Sequence, residues 1–88
     1  MIRRRVVAQG RVQGVFFRDS VRRRAESLGV GGWAHNRDDG AVEVVFEGAT
    51  EAVESMVEYC RRGPGRSEVE RVEVSEEDPA GEDSFQIR

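Results

Sequence analysis

The hydrophobic period of this 88-residue chain changes several times, and the order of those changes limits its possible folds more than any other feature. Ile2–Gln9 reads as a strand with Val6 and Val7 at its centre. From there the period lengthens. Apolar residues fall at Phe17, Val21, Ala25 and Leu28, steps of four, four and three that draw one stripe along an α-helix. Gly29 is positioned to end that helix, and Arg22 and Glu26 stand at i,i+4 on it. Val30–Arg37, around Trp33, and Ala41–Gly48, with Val42, Val44 and Phe46 on one face, read as strands. Between them Asp39-Gly40 is a strong short hairpin signal. Thr50, rather than Ala49, is expected to cap a second helix running to about Arg62. Its buried stripe is Val53, Met56, Val57 and Cys60, and Gly63-Pro64-Gly65 stops it. Glu68–Val74 alternates as a strand, and Ser84–Arg88, with Phe85 and Ile87, closes the chain with a short one.

The order β-α-β-β-α-β plus a short final strand predicts an α+β ferredoxin-like sandwich. Its antiparallel sheet carries a short fifth strand, and both helices lie on one face. No linker, repeat or low-complexity stretch interrupts the pattern, so residues 1–88 are expected to form a single domain.

Charge is distributed unevenly along the chain. All 14 basic residues are arginine; nine of them precede Asp38 against two acids, and five follow against 15 acids. A basic half of this kind points to a phosphate-bearing or nucleic-acid partner. No apolar run approaches the ~18–20 residues of a membrane span. Val6-Val7-Ala8, after Arg3–Arg5, is too short for the core of a signal peptide, which needs about 7–15 residues. One cysteine permits no internal disulfide, and one histidine beside it is too little for a His/Cys metal cage. The expectation is a soluble, cytoplasmic domain with no membrane partner.

The most informative segment is Gly10–Arg18, GRVQGVFFR, which joins the first strand to the first helix. Its glycines let peptide N–H groups approach an anion, and the helix that follows offers unpaired N–H groups and the positive end of its dipole. Arg18 sits in that first turn, where the dipole disfavours a cation unless an anion joins it. An arginine fork grips two phosphate oxygens at once. This is not a Walker loop, since GxxxxGK[ST] is absent. In the second segment, Gly32–Gly40, Asn36 carries a donor and an acceptor and can fix a water. His35 lies on the opposite strand face from Asn36, which disfavours it as a catalyst, and Cys60 on a helix stripe reads as an inert packed thiol.

GRVQGVFFR followed by LGVGGWAHNRDDGAVEVVFEG, the Gly-Pro after the second helix and the closing Phe-Gln-Ile together resemble the acylphosphatase family over essentially the whole chain. The resemblance implies hydrolysis of an acyl phosphate, a small-molecule substrate, to carboxylate and inorganic phosphate, with phosphate also a competitive inhibitor. It implies that Gln13, Gly14, Val15, Phe16 and Phe17 form a phosphate cradle, that Arg18 binds the phosphate, and that Asn36 positions the attacking water. It implies no metal, no cofactor and a monomer. Met1 stands just before the first strand and Arg88 just after the last, so a free-standing enzyme is expected over a carbamoyl-phosphate-handling or regulatory domain of a larger protein. Single-stranded RNA binders use the same element order, but they stack bases on aromatics of the first and third strands. Here the first strand has none and the third has only Phe46, which its parity turns to the core, so no nucleic-acid partner is expected.

Overall fold

The computed structural model describes residues Met1–Arg88. The chain forms β1 (Ile2–Arg11), α1 (Phe17–Leu28), β2 (Gly31–Asn36), β3 (Val42–Gly48), α2 (Thr50–Arg62), β4 (Glu68–Glu77) and β5 (Phe85–Ile87). The strands lie side by side in the order β4-β1-β3-β2-β5. α1 packs over β2 and β5, and α2 over β1 and β4. Between helices and sheet sits one apolar core, in which Val6 and Ala8 of β1 and Val42, Val44 and Phe46 of β3 meet Phe17, Val21, Val53, Met56 and Cys60 from the helices. This is the ferredoxin-like sandwich read from the sequence. No helix is long and apolar enough to cross a membrane.

Several details differ from the sequence reading. The sheet is mixed, because β5 pairs parallel with β2 while the other pairings are antiparallel. The reason is topological. β4 runs opposite to β2, and β5 reverses the direction of β4 after crossing to the far edge, so it must run with β2. Leu28, at the last turn of α1, is 41% exposed rather than buried, and Val30 fills the core beyond it. Between them Gly29 adopts φ 70°, and the Val30 N–H reaches back to the Ala25 carbonyl at 2.9 Å, closing the helix as expected. Arg22 pairs with Asp19, not with Glu26. α2 begins one residue earlier than the cap assigned to Thr50. Ala49 is the N-cap, its carbonyl accepting from Val53 N–H at 3.0 Å, and no side chain caps the turn. Val57 is half-buried at the edge of the α2 stripe. In β4, Val69 and Val72 both reach the core despite their odd spacing. The register between β1 and β4 shifts at Gln9/Gly10, leaving Glu70 as the extra residue of a bulge, and the parity of β4 changes there.

The face of the sheet away from the helices carries an ionic layer. Arg3 bonds Glu47 and Glu77, and Arg5 bonds Glu77 and Glu43 while lying over Trp33, its guanidinium 5.3 Å from the ring centroid. Residues 78–84 cross this face from the β4 edge to the β5 edge. Where they pass, the fully buried Glu47 carboxylate accepts the N–H groups of Ala80 (2.7 Å), Gly81 (2.8 Å) and Glu82 (2.8 Å). The segment lies so close to β2 that a Cβ on Gly31 would stand 2.3 Å from the Glu82 carbonyl oxygen.

Candidate active site

β1, β2 and β5 run in one direction, so their C-terminal ends gather at one end of the sheet. The N-terminus of α1 lies at the same end, because the β1–α1 loop spans only residues 12–16. A cleft of about 240 Å³ opens there. It brings together Gly14, Phe16, Phe17, Arg18 and Asn36, residues 18 or more positions apart in sequence between the loop and the strand. Val12, Asp19 and Ile87 complete its lining.

The loop is built to expose donors. Gly14 has φ 73°, and Phe16, at φ 61° and ψ 24°, is the one non-glycine residue in the chain with positive φ. Holding an L-residue there costs about 1–2 kcal/mol. Phe16 is also the N-cap of α1, and no side chain caps the helix. The first bond of the helix runs from Ser20 N–H to the Phe16 carbonyl at 3.0 Å, and the N–H groups of Gln13 through Asp19 find no acceptor within the protein. Successive N–H groups on a backbone that alternates in hand form an anion-binding concavity, here continuous with the positive end of a helix dipole.

The charge around this concavity is selected by the fold. Of the nine arginines preceding Asp38, seven pair with carboxylates. Arg24 lies over Tyr59, 4.8 Å from its ring centroid. Arg18 alone has neither kind of partner; its Nη1 donates to the main-chain oxygen of Arg88 at 3.3 Å. The basic half of the sequence is therefore largely neutralised in space, and the unmatched guanidinium is the one in the cleft. Arg3 and Arg5 in particular are matched by Glu43, Glu47 and Glu77.

Asn36 ends β2 on the same face as Ala34, which is in the core. Its Oδ1 is buried and has no hydrogen-bond partner in the protein. An unsatisfied buried acceptor costs about 1–3 kcal/mol, a penalty that a bound donor removes. The following turn is held by Asp39, whose carboxylate accepts the Ala41 N–H at 3.1 Å. That bond, with Arg37 beside it, keeps the Asp39 carboxyl below its usual range.

The remaining expected residues lie differently. The Gln13 side chain is not in the cleft; its Nε2 donates to the carbonyls of Arg37 (2.8 Å) and Ala41 (2.9 Å). It ties the donor loop to the turn after Asn36 and so fixes the two halves of the site relative to each other. Val15 faces a neighbouring cleft and packs partly against the core. Neither Gln13 nor Val15 lines the first cleft; what each adds to the loop's free donors is its main-chain N–H. His35 is exposed on the other face of β2, as its parity predicted. The sequence reading missed Ile87, because its position depends on β5 lying beside β2. Cys60 is fully buried, and burial pushes its thiol up to about 12.

The family model described as acylphosphatase matches residues 4–87. An acylphosphatase of Haloarcula marismortui is 52% identical over 86 residues, covering 98% of this chain and 94% of that protein. One from Rubrobacter xylanophilus is 57% identical over 86 residues, covering 96% and 77%. The crystal structure of acylphosphatase from Bacillus subtilis superposes with a TM-score of 0.94 at 39% identity, covering 100% of this chain and 99% of that one. With the fold, the cleft and these full-length matches in agreement, the chain belongs to the acylphosphatase family of hydrolases.

Proposed function

We propose that residues 1–88 act as one acylphosphatase domain in which Arg18 and the loop N–H groups hold the phosphoryl group and Asn36 aims the attacking water. An acyl phosphate is a mixed anhydride whose leaving carboxylate is stable, so its departure needs little help from an acid. The remaining tasks are to hold the phosphoryl group, balance charge on its equatorial oxygens and orient a nucleophile in line. The Arg18 fork and the N–H groups of Gln13 through Phe17 perform the first two. Asn36 Oδ1 accepts a hydrogen bond from one O–H of the water, which keeps that proton, and points the oxygen lone pair at phosphorus. As the water oxygen bonds to phosphorus, the bond from phosphorus to the acyl oxygen breaks and the carboxylate leaves with its electron pair. The other water proton passes to a phosphoryl oxygen, giving inorganic phosphate without a phosphoenzyme. The product phosphate competes for the same cradle.

The observation that carries this reading is the partnerless, buried Asn36 Oδ1 in the cleft that also holds Arg18, the one arginine of the basic half with neither a carboxylate side chain nor an aromatic ring beside it. Asn36→Ala should lower kcat on benzoyl phosphate by about 30- to 900-fold, or ~2–4 kcal/mol of barrier, while inorganic phosphate inhibits nearly as before. Intact turnover with weakened phosphate inhibition would reverse the roles of Asn36 and Arg18. The cytoplasm is the proposed compartment and a monomer the proposed state, supported by a lone cysteine sealed in the core. Against a role in RNA binding, the face on which such modules display stacking aromatics carries Arg3, Arg5, Glu43 and Glu47 from β1 and β3 here, and residues 78–84 cross it.

A further inference from the structure

A second cleft, of about 470 Å³, adjoins the first and shares Gly14 and Phe16 with it. It lies between the β1–α1 loop and the turn after α2, and Arg11, Ser20 and Arg66 face it. Among all 14 arginines of the chain, only Arg18, Arg61 and Arg66 have neither a carboxylate at salt-bridge distance nor an aromatic ring beneath them. Two of those three line the two adjoining clefts. Arg61, the third, lies exposed on α2 and lines neither. Arg11 adds a second guanidinium to the larger cleft, held only loosely by Glu68 at 3.8 Å with both side chains mostly in solvent. In a chain with more acids than bases, a guanidinium left without a carboxylate in a concave site is suited to bind an anion.

We infer that the second cleft is a subsite for an anionic group on the acyl chain, with Arg66 as its principal ligand and Arg11 as its support. With the phosphoryl group at Arg18, an acyl chain leaving the first cleft past Gly14 meets the exposed Phe16 ring, which is 79% accessible, and then Arg66. Phe16 lines both clefts, and its exposed ring offers the methylene portion an apolar surface. The preferred substrates are then acyl phosphates ending in a carboxylate or a phosphoryl-type group. The pairing is solvent-exposed, so it tunes KM by a few-fold rather than acting on the chemical step.

This inference rests on the acylphosphatase reading, and a matched pair of substrates separates the two. Butyryl phosphate and succinyl phosphate differ by a terminal methyl against a carboxylate; 3-phosphonopropanoyl phosphate supplies the phosphoryl-type end. The wild-type protein should show a kcat/KM for one or both anionic substrates about three- to fivefold above that for butyryl phosphate. Arg66→Gln should abolish the preference through KM and leave butyryl phosphate turnover unchanged. Arg66→Lys should restore part of it, and Arg61→Gln should leave it intact. The anion losing more in Arg66→Gln identifies the better-fitting end group. Equal kcat/KM for all three substrates in the wild type, or the same loss in Arg61→Gln as in Arg66→Gln, would overturn the subsite while leaving the enzyme reading standing. Failure to hydrolyse butyryl phosphate at all would instead strike the enzyme reading.

Discussion

Replacing Glu47 by glutamine changes one atom of a side chain that holds two distant parts of the fold together. In the native protein the two carboxylate oxygens accept four hydrogen bonds: Oε1 from Arg3 Nη1 and Ala80 N–H, Oε2 from Gly81 and Glu82 N–H. An amide presents one acceptor and one donor, so whichever way it is oriented, two of these donors face an N–H₂ group instead of oxygen. Hydrogen bonds to a charged group contribute about 1.5–3 kcal/mol each, so losing two should cost at least ~3 kcal/mol. That is a large share of the ~5–15 kcal/mol that holds a domain folded, and at this size it lowers Tm by about 12 °C or more. Arg3 keeps its bond to Glu77, so the loss falls mainly on the crossing segment. Urea titration at pH 7, with unchanged m-value, measures the loss directly.

The pH dependence supplies a second, independent reading. Burial pushes the Glu47 carboxyl up, but the Ala80 N–H, Arg3 and the N–H groups of Gly81 and Glu82 together outweigh it and hold it below its usual range. A carboxyl depressed in the folded state binds fewer protons there than in the unfolded chain. Its contribution is therefore complete above the unfolded value of about 4.3 and is lost as pH falls through the folded value. Wild type and Glu47→Gln should differ most near neutrality and converge in acid. A gap below 1 kcal/mol at pH 7, or one constant from pH 7 to 3, would refute the assignment of Glu47 as an ionised clasp. Because the crossing segment leads directly into β5, whose Ile87 lines the cleft, kcat/KM should fall in the variant even where it remains folded.

Three further outcomes follow from the same geometry. Arg18→Lys should weaken inorganic phosphate inhibition and lower kcat/KM severely, since an ammonium cannot reproduce the planar fork; near-normal kinetics would remove Arg18 from the site. His35→Ala should leave the pH–rate profile between about pH 5 and 7 unaltered, because the imidazole lies on the face away from the cleft, and the loss of an inflection would contradict this. Cys60 should react with a thiol reagent only as fast as the protein opens, with the rate rising alongside the unfolded fraction in urea; rapid labelling in buffer would show that α2 is not packed as described.

Sequence periodicity sufficed for the element order because each element's apolar pattern is set locally, by the pleat of a strand or the turn of a helix. The stripe Phe17–Val21–Ala25–Leu28, with Gly29 after it, located α1 to its observed limits although Leu28 itself is exposed, and parity alone separated Asn36 from His35. The donor loop was legible for the same reason: Gly14 and Arg18 are bound to the loop by sequence neighbourhood. Their meeting with Asn36 entered only through resemblance to a family, since residues on separate elements are joined by packing and not by spacing.

What the tertiary structure decided is which charges remain. The sequence determined that nine arginines precede Asp38, and three of them, Arg22, Arg23 and Arg37, find a carboxylate within four residues, but the partners of Arg3, Arg4, Arg5 and Arg11 depend on strand order. Glu43 and Glu47 reach Arg5 and Arg3 because β3 pairs with β1, and Glu77 joins both because β4 lies on the other side. The sequence likewise contained Ile87 and Arg66 without any pattern that marked them. Their places beside the β1–α1 loop follow from β5 crossing to β2 and from the turn after α2 folding against residues 14–16. Local physics specified the parts and paired three of the arginines; long-range pairing of the strands neutralised four more, and Arg18 is left in the cleft without a carboxylate side chain.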